Sequence, residues 1–202
     1  MAYVVVGLGN PEGEYAHTRH NAGRMAVEQL QKLYGLPEFK EKKIPAARTT
    51  ALVSEGALDG VKLQLVLPGT SMNVSGKVVG AFVKSVAASK RLIVVRDELD
   101  LPLGVMKMTV GRGSGGHKGV ESISRTIRSK AFAQIKIGIS GATAKGSVRK
   151  PKGEEKVVKH VLGKFKPEEE KILKKEFSKV ADVIEAFVEG DTSKAHLIAN
   201  TK

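Results

Sequence analysis

Histidines, carboxylates and asparagines fall in four short polar clusters of this 202-residue chain, each beside an apolar or glycine-rich run. Asn10, His20 and Asn21 follow YVVVGLG. Asn73 lies inside PGTSMNVSG. Asp97, Glu98 and Asp100 end LIVVRDELD, and His117 with Lys118 closes GRGSGGHKG. A histidine changes protonation near neutral pH. A carboxylate can orient its ring and stabilise its charged form, and a carboxamide offers both a donor and an acceptor. Such a set can activate water for attack on a carbonyl without a metal. A serine acyl-enzyme is not signalled: there is no G-x-S-x-G, and Ser114 in GRGSGGHKG has the wrong spacing.

Other chemistries fit less well. Gly7 and Gly9 make a G-x-G after an apolar run, but the third glycine of a dinucleotide site is missing and Pro11 removes a backbone N–H. His17 and His20 are three apart, yet no third ligand lies near them in sequence and the chain has no cysteine, so no metal site is expected. His160 and His196 read as ordinary polar residues.

The elements that must position these clusters alternate between strand and helix. Tyr3–Val6 reads as a buried strand. Ala26, Leu30, Leu33 and Tyr34 mark a helix stopped by Gly35 and Pro37. Two strands joined by a Gly- and Asp-rich turn follow in AARTTALVSEGALDGVKLQLVLP. SMNVSGKVVGAFVKSVAAS reads as one helix with Val79, Phe82, Val83 and Val86 as its stripe. LIVVRDELD, GVMKMTV and AQIKIGIS read as strands, and VESISRTIRS as a helix. Residues 141–156 carry almost no large apolar side chain and read as a mobile basic loop. C-terminal helices are expected over 167–199: one with Ile172, Leu173, Phe177, Val180, Val183, Ile184 and Phe187 facing inward, then a short one capped by Asp191. The whole is expected to be a single α/β domain, residues 1–202, with a twisted mixed β-sheet flanked by α-helices. In such sheets, sites collect outside the carboxyl ends of strands, where these loops would converge.

Composition bounds the partner. Lys and Arg total 34 against 21 Asp and Glu, a formal charge of +13, which points to a polyanion. Aromatics are only 4% with no Trp, so base stacking on an aromatic sheet is not expected. No run approaches the roughly 20 apolar residues of a membrane span. The start, MAYVVVGLGN, does not read as a targeting peptide, and a cytoplasmic location is expected.

Four stretches together, VVGLGNPEGEYAHTRHNAG, LVLPGTSMNVSG, VVRDELDLPLG and GSGGHKGVESI, resemble bacterial-type peptidyl-tRNA hydrolase in order and spacing. The resemblance implies a monomeric α/β enzyme that hydrolyses the ester between a peptide and the 3′ end of tRNA, with no metal or cofactor. By motif, His20 would be the general base and Asp97 its orienting acid. Asn10 would contact the peptide, and Asn73 would position substrate and water. Tyr15, Ser71 and Met72 would border the substrate, with His117 and Lys118 beside it. Lys107, Arg112 and Lys136 would lie on or beside the loops that border the crevice, with Lys136 matching a basic family position that meets phosphate of the tRNA acceptor stem. One departure is notable: GGHKG stands where the family typically has GGHNG, so Lys118 replaces a carboxamide with a cation. The competing reading is a non-catalytic RNA-binding relative such as an organelle splicing cofactor.

Overall fold

The computed structural model describes residues 2–11, 13–144 and 147–201. The elements, in chain order, are β1 (Tyr3–Gly7), α1 (Ala22–Leu33), β2 (Lys40–Ile44), β3 (Thr49–Leu58) and β4 (Val61–Pro68). They continue as α2 (Ser75–Phe82), α3 (Val86–Ser89), β5 (Leu92–Pro102), β6 (Met106–Val110), α4 (Lys118–Ile127) and β7 (Ala133–Ala142). Last come β8 (Val148–Arg149), α5 (Glu154–Val161), α6 (Pro167–Val188) and α7 (Thr192–Asn200).

The sheet order is β2-β3-β4-β1-β5-β7-β6, with β8 added to the end of β7. Its centre, β4-β1-β5-β7, is parallel; β2, β3 and β6 join antiparallel, making the sheet mixed. The central strands read as unbroken apolar runs because both of their faces are covered. Val5, Leu65 and Ile93 point into one core with α1, α6 and α7. Their neighbours Val6, Val66 and Val94 point into a second core with α2 and α4. Each such fully buried side chain contributes about 1.5–3 kcal/mol.

Two local devices bring α1 to the sheet. Asn21 stands at its N-cap, and Gly23 follows in its first turn. A Cβ on Gly23 would lie 2.2 Å from the Val95 carbonyl oxygen, so only glycine lets the helix start so close to β5.

Several sequence expectations change. The single helix expected over SMNVSGKVVGAFVKSVAAS is a 3-10 turn at Met72–Val74, then α2, then the short α3. Val83 turns extended, and the Ser85 side chain accepts from the Ala88 N–H, restarting the helix on a new axis. Val86 is therefore exposed, as are Leu33 and Ile172, although each falls on the apolar period of its helix. Residues 141–156 are not wholly loop: Gly141 and Ala142 pair with β8, and α5 begins at Glu154. Lys145 and Gly146 of that stretch lie outside the described residues. The strand β2 and the helix α5 were not anticipated.

Candidate active site

His20 is delivered by a one-turn 3-10 helix, Arg19–Asn21, between β1 and α1. The segment after α5 holds that turn from outside. Thr18 makes an antiparallel bridge with Lys164, the Arg19 N–H donates to the Gly163 carbonyl at 2.9 Å, and the Phe165 N–H to that of His17 at 3.0 Å. The Arg19 guanidinium grips both carboxylate oxygens of Glu169 at 2.9 and 2.7 Å and lies 4.9 Å over the Phe165 ring.

Asp97 is the middle residue of β5 and is buried. Its Oδ1 is 2.9 Å from His20 Nδ1 and 2.9 Å from His117 Nε2. The Val120 N–H points at His117 Nδ1, at 3.4 Å, so the ring's proton sits on Nε2, facing Asp97. The two imidazoles lie 5.2 Å apart at 44°. One carboxylate oxygen thus accepts from two rings. Burial opposes its charge, but the two imidazoles outweigh that and hold Asp97 ionised, well below the usual carboxylate range.

The two histidines diverge electrostatically. Burial depresses the His20 imidazolium, yet the Asp97 charge and hydrogen bond more than compensate, and its pKa is raised. For His117 burial wins over Asp97, with help from the charges of His20 and Arg96, and its pKa is lowered. His117 is therefore neutral, with both nitrogens engaged inside the protein. It holds Asp97 and also lines the cleft beside His20.

Asn10 is buried and fastened three ways. Its N–H donates to Asn21 Oδ1 at 2.9 Å, its carbonyl accepts from Asn21 Nδ2 at 3.1 Å, and its Oδ1 accepts from the Met72 N–H at 2.8 Å. The Asn10 Nδ2 hydrogens have no acceptor among the described residues. Asn21, at the N-cap of α1, has its side chain committed to clamping the Asn10 backbone. Asn73 is exposed and accepts from Ser71 Oγ at 2.9 Å. It lines a groove of about 440 Å³ with Lys77, Lys118 and Arg125, whereas His20, Asp97 and His117 line a separate cleft of about 380 Å³. Lys118 borders both.

Tyr15 is half-buried in the turn before His20, and its carbonyl accepts from Thr18. Lys107 and Lys136 are register partners on β6 and β7, with Lys136 Nζ 3.9 Å from Glu98 Oε2. Arg112 is exposed, and its carbonyl is held by Gln134 Nε2 at 2.9 Å. His17 is not a partner of His20; it is exposed and faces Glu170 at 3.1 Å. Among the described residues, the possible metal-ligand atoms that gather belong to His20, Asp97 and His117, within 4.8 Å of one another. A cation there would have to displace the two ring N–H bonds to Asp97.

One functional neighbour was missed. Arg96 is fully buried, donating from one nitrogen to the Asp97 carbonyl at 2.7 Å and from another to Gln134 Oε1 at 3.3 Å. Its third nitrogen is 3.0 Å from Glu98 Oε2. It anchors the backbone that carries Asp97. The signal was an arginine set inside an apolar strand run, LIVVRDELD.

Known proteins carry the same arrangement of elements. The sequence model described as peptidyl-tRNA hydrolase matches residues 4–202. A peptidyl-tRNA hydrolase of Aquifex aeolicus is 38% identical over 92% of this chain and 90% of its own length. One of Carboxydothermus hydrogenoformans is 38% identical over 93% of each. Among solved structures, the peptidyl-tRNA hydrolase of Acinetobacter baumannii superposes with a TM-score of 0.82 at 33% identity, covering 99% of this chain and 95% of that one. With the match running across both cores and the His20–Asp97 cleft alike, the chain belongs to the peptidyl-tRNA hydrolase family.

Proposed function

We propose that this chain hydrolyses the ester of peptidyl-tRNA, releasing peptide and free tRNA, through a water activated by His20. The observation that carries the reading is the shared Asp97 oxygen, which fixes His20 with its proton on Nδ1 and leaves Nε2 as the base. Nε2 takes a proton from water as the oxygen attacks the ester carbonyl. The imidazolium formed is stabilised by ionised Asp97 and returns the proton to the departing ribose oxygen. Asn10 offers its Nδ2 hydrogens to the peptide's carbonyl oxygen. A free aminoacyl ester lacks that amide and carries an ammonium, so it loses this pairing. Asn73 positions the nucleotide end beside Lys118, with Ser71, Met72 and Tyr15 around it. Lys107, Arg112 and Lys136 meet phosphate of the acceptor stem.

The chain acts as a cytoplasmic monomer in this reading, which rests on family membership; no described helix is long and apolar enough to cross a membrane. The test compares N-acetylaminoacyl-tRNA with free aminoacyl-tRNA in the presence of EDTA. Selective cleavage of the blocked ester is expected. Tight RNA binding without turnover would instead make the chain a non-catalytic RNA-binding relative.

A further inference from the structure

The two cavities that meet at Lys118 carry opposite electrostatic characters. The His20 cleft is lined by four carboxylates, Asp97, Glu98, Asp100 and Glu154, against three cations, Arg96, Lys118 and Lys150. Two of those cations are spent on the acids, Arg96 on Glu98 and Lys150 on Asp100. Its far wall is apolar, from Val157, Val158 and Val161 of α5. A phosphodiester strand gains nothing there, whereas a peptide does.

The other side is different. The groove at Asn73 continues into a second one of about 740 Å³, the two sharing Lys77 and Thr126. Together they follow the seam between α2 and α4. The helices touch closely there: a Cβ on Gly76 would stand 2.2 Å from the Ser122 carbonyl oxygen. The banks carry five cations, Lys77, Lys84, Lys118, Arg125 and Arg128, against one acid, Glu121. Glu121 pairs with Arg125. Lys77, Lys84, Lys118 and Arg128 are exposed and face no carboxylate within ion-pair distance among the described residues. From Lys118 to Arg128 the helix rises ~15 Å at about 1.5 Å per residue.

We propose that the α2–α4 groove is an RNA-backbone track, distinct from the Lys107–Lys136 side, which holds one strand of the tRNA acceptor arm leading away from the ester at Lys118. This rests on the hydrolase reading for the identity of the RNA, and on the charge and shape of the groove for its location. The ester bond lies at the junction, with peptide on the acidic and apolar side and nucleic acid on the basic side. Contact is with phosphate, so it is independent of sequence and sensitive to salt.

The test uses an acceptor-stem RNA hairpin with a single-stranded 3′ end, and the double variant Lys84→Glu/Arg128→Glu. Both residues are exposed, and a cooperative thermal transition with a midpoint no lower than that of the wild type confirms the fold. Hairpin Kd is expected to weaken about tenfold or more, and the slope of log affinity against log salt to shrink by about two. Lys62→Glu, a single charge reversal at an exposed site on β4, is expected to do neither. Equal hairpin binding by wild type and double variant overturns the track, as does an equal loss in the Lys62 control. A matching loss for heparin fragments of equal charge would make the groove a general polyanion surface and overturn its assignment to RNA. Failure is separable from that of the hydrolase reading. Hydrolysis of blocked aminoacyl-tRNA with unaltered hairpin binding by the variant sinks only the track. Groove-dependent hairpin binding by a wild-type protein that cleaves nothing sinks only the hydrolase.

Discussion

His20 owes its usefulness to a balance between burial, which pushes its proton off, and Asp97, which holds it on. The second force wins, so the base is free only above its raised pKa. Activity should rise with pH through a limb placed above the ordinary histidine value of about 6.5. His20→Ala should abolish turnover while tRNA still binds. Asp97→Asn keeps the shape but removes the charge, so the limb should move to lower pH as the rate drops. A limb that stays in place in Asp97→Asn would break the pairing argument. Lys118 belongs to the same scale but to another term. It stands at the junction of the two cavities, not among the groups that hold Asp97. Lys118→Asn should therefore change KM and reduce its salt dependence by about one phosphate's worth, with kcat less affected. A change confined to kcat would put Lys118 in the chemistry.

At the scale of elements, the His20 turn depends on a clamp formed by residues far along the chain. Arg19 neighbours the base and is tied to Glu169 of α6, to the Ile139 carbonyl and to the Phe165 ring. With side-chain exposures of 12% and 22%, the Arg19–Glu169 pair is too sheltered to count as an ordinary surface bridge. Arg19→Ala should cost about 1.5–3 kcal/mol of stability, as for a hydrogen-bonded charged group, and lower kcat more than it raises KM. Unaltered kcat at full stability would show that His20 needs no such support. None of this was legible locally. The central strands were, because burial on both faces leaves unbroken apolar runs such as YVVV and LIVV. So was α6, because a long helix packed on one side repeats its apolar positions. The strand β2 was not: KEKKI buries only Ile44 and keeps its charges as an exposed edge, which leaves no apolar period to read. The helix α5 is short, and only Val161 of it is buried. The site residues were legible as types at strand ends and through the family resemblance. Their bonds were not, since Asp97 is 77 residues from His20, and the roles of Asn21, Arg96 and His117 appear only once those loops meet.

For the molecule as a whole, the +13 charge acts on folding and on binding with opposite signs. Excess positive charge repels itself in the folded state and attracts RNA. Salt weakens both, since the screening length falls from about 30 Å at 0.01 M to about 10 Å at 0.1 M. The cations of the α2–α4 groove are spaced within that longer range and are mostly unpaired, so they feel each other when no RNA is bound. Sheltered pairs such as Arg19–Glu169 are screened much less. Between about 0.01 and 0.1 M NaCl, the free protein should gain stability, where each 1 kcal/mol raises the thermal midpoint by about 2–4 °C at this size. Over the same interval its affinity for tRNA should fall steeply. The double variant Lys84→Glu/Arg128→Glu reduces the net charge by four and should flatten both dependences together. A midpoint that falls with added salt would mean that favourable ion pairs, not repulsion, dominate the surface, and that the basic groove carries no cost in the absence of its RNA.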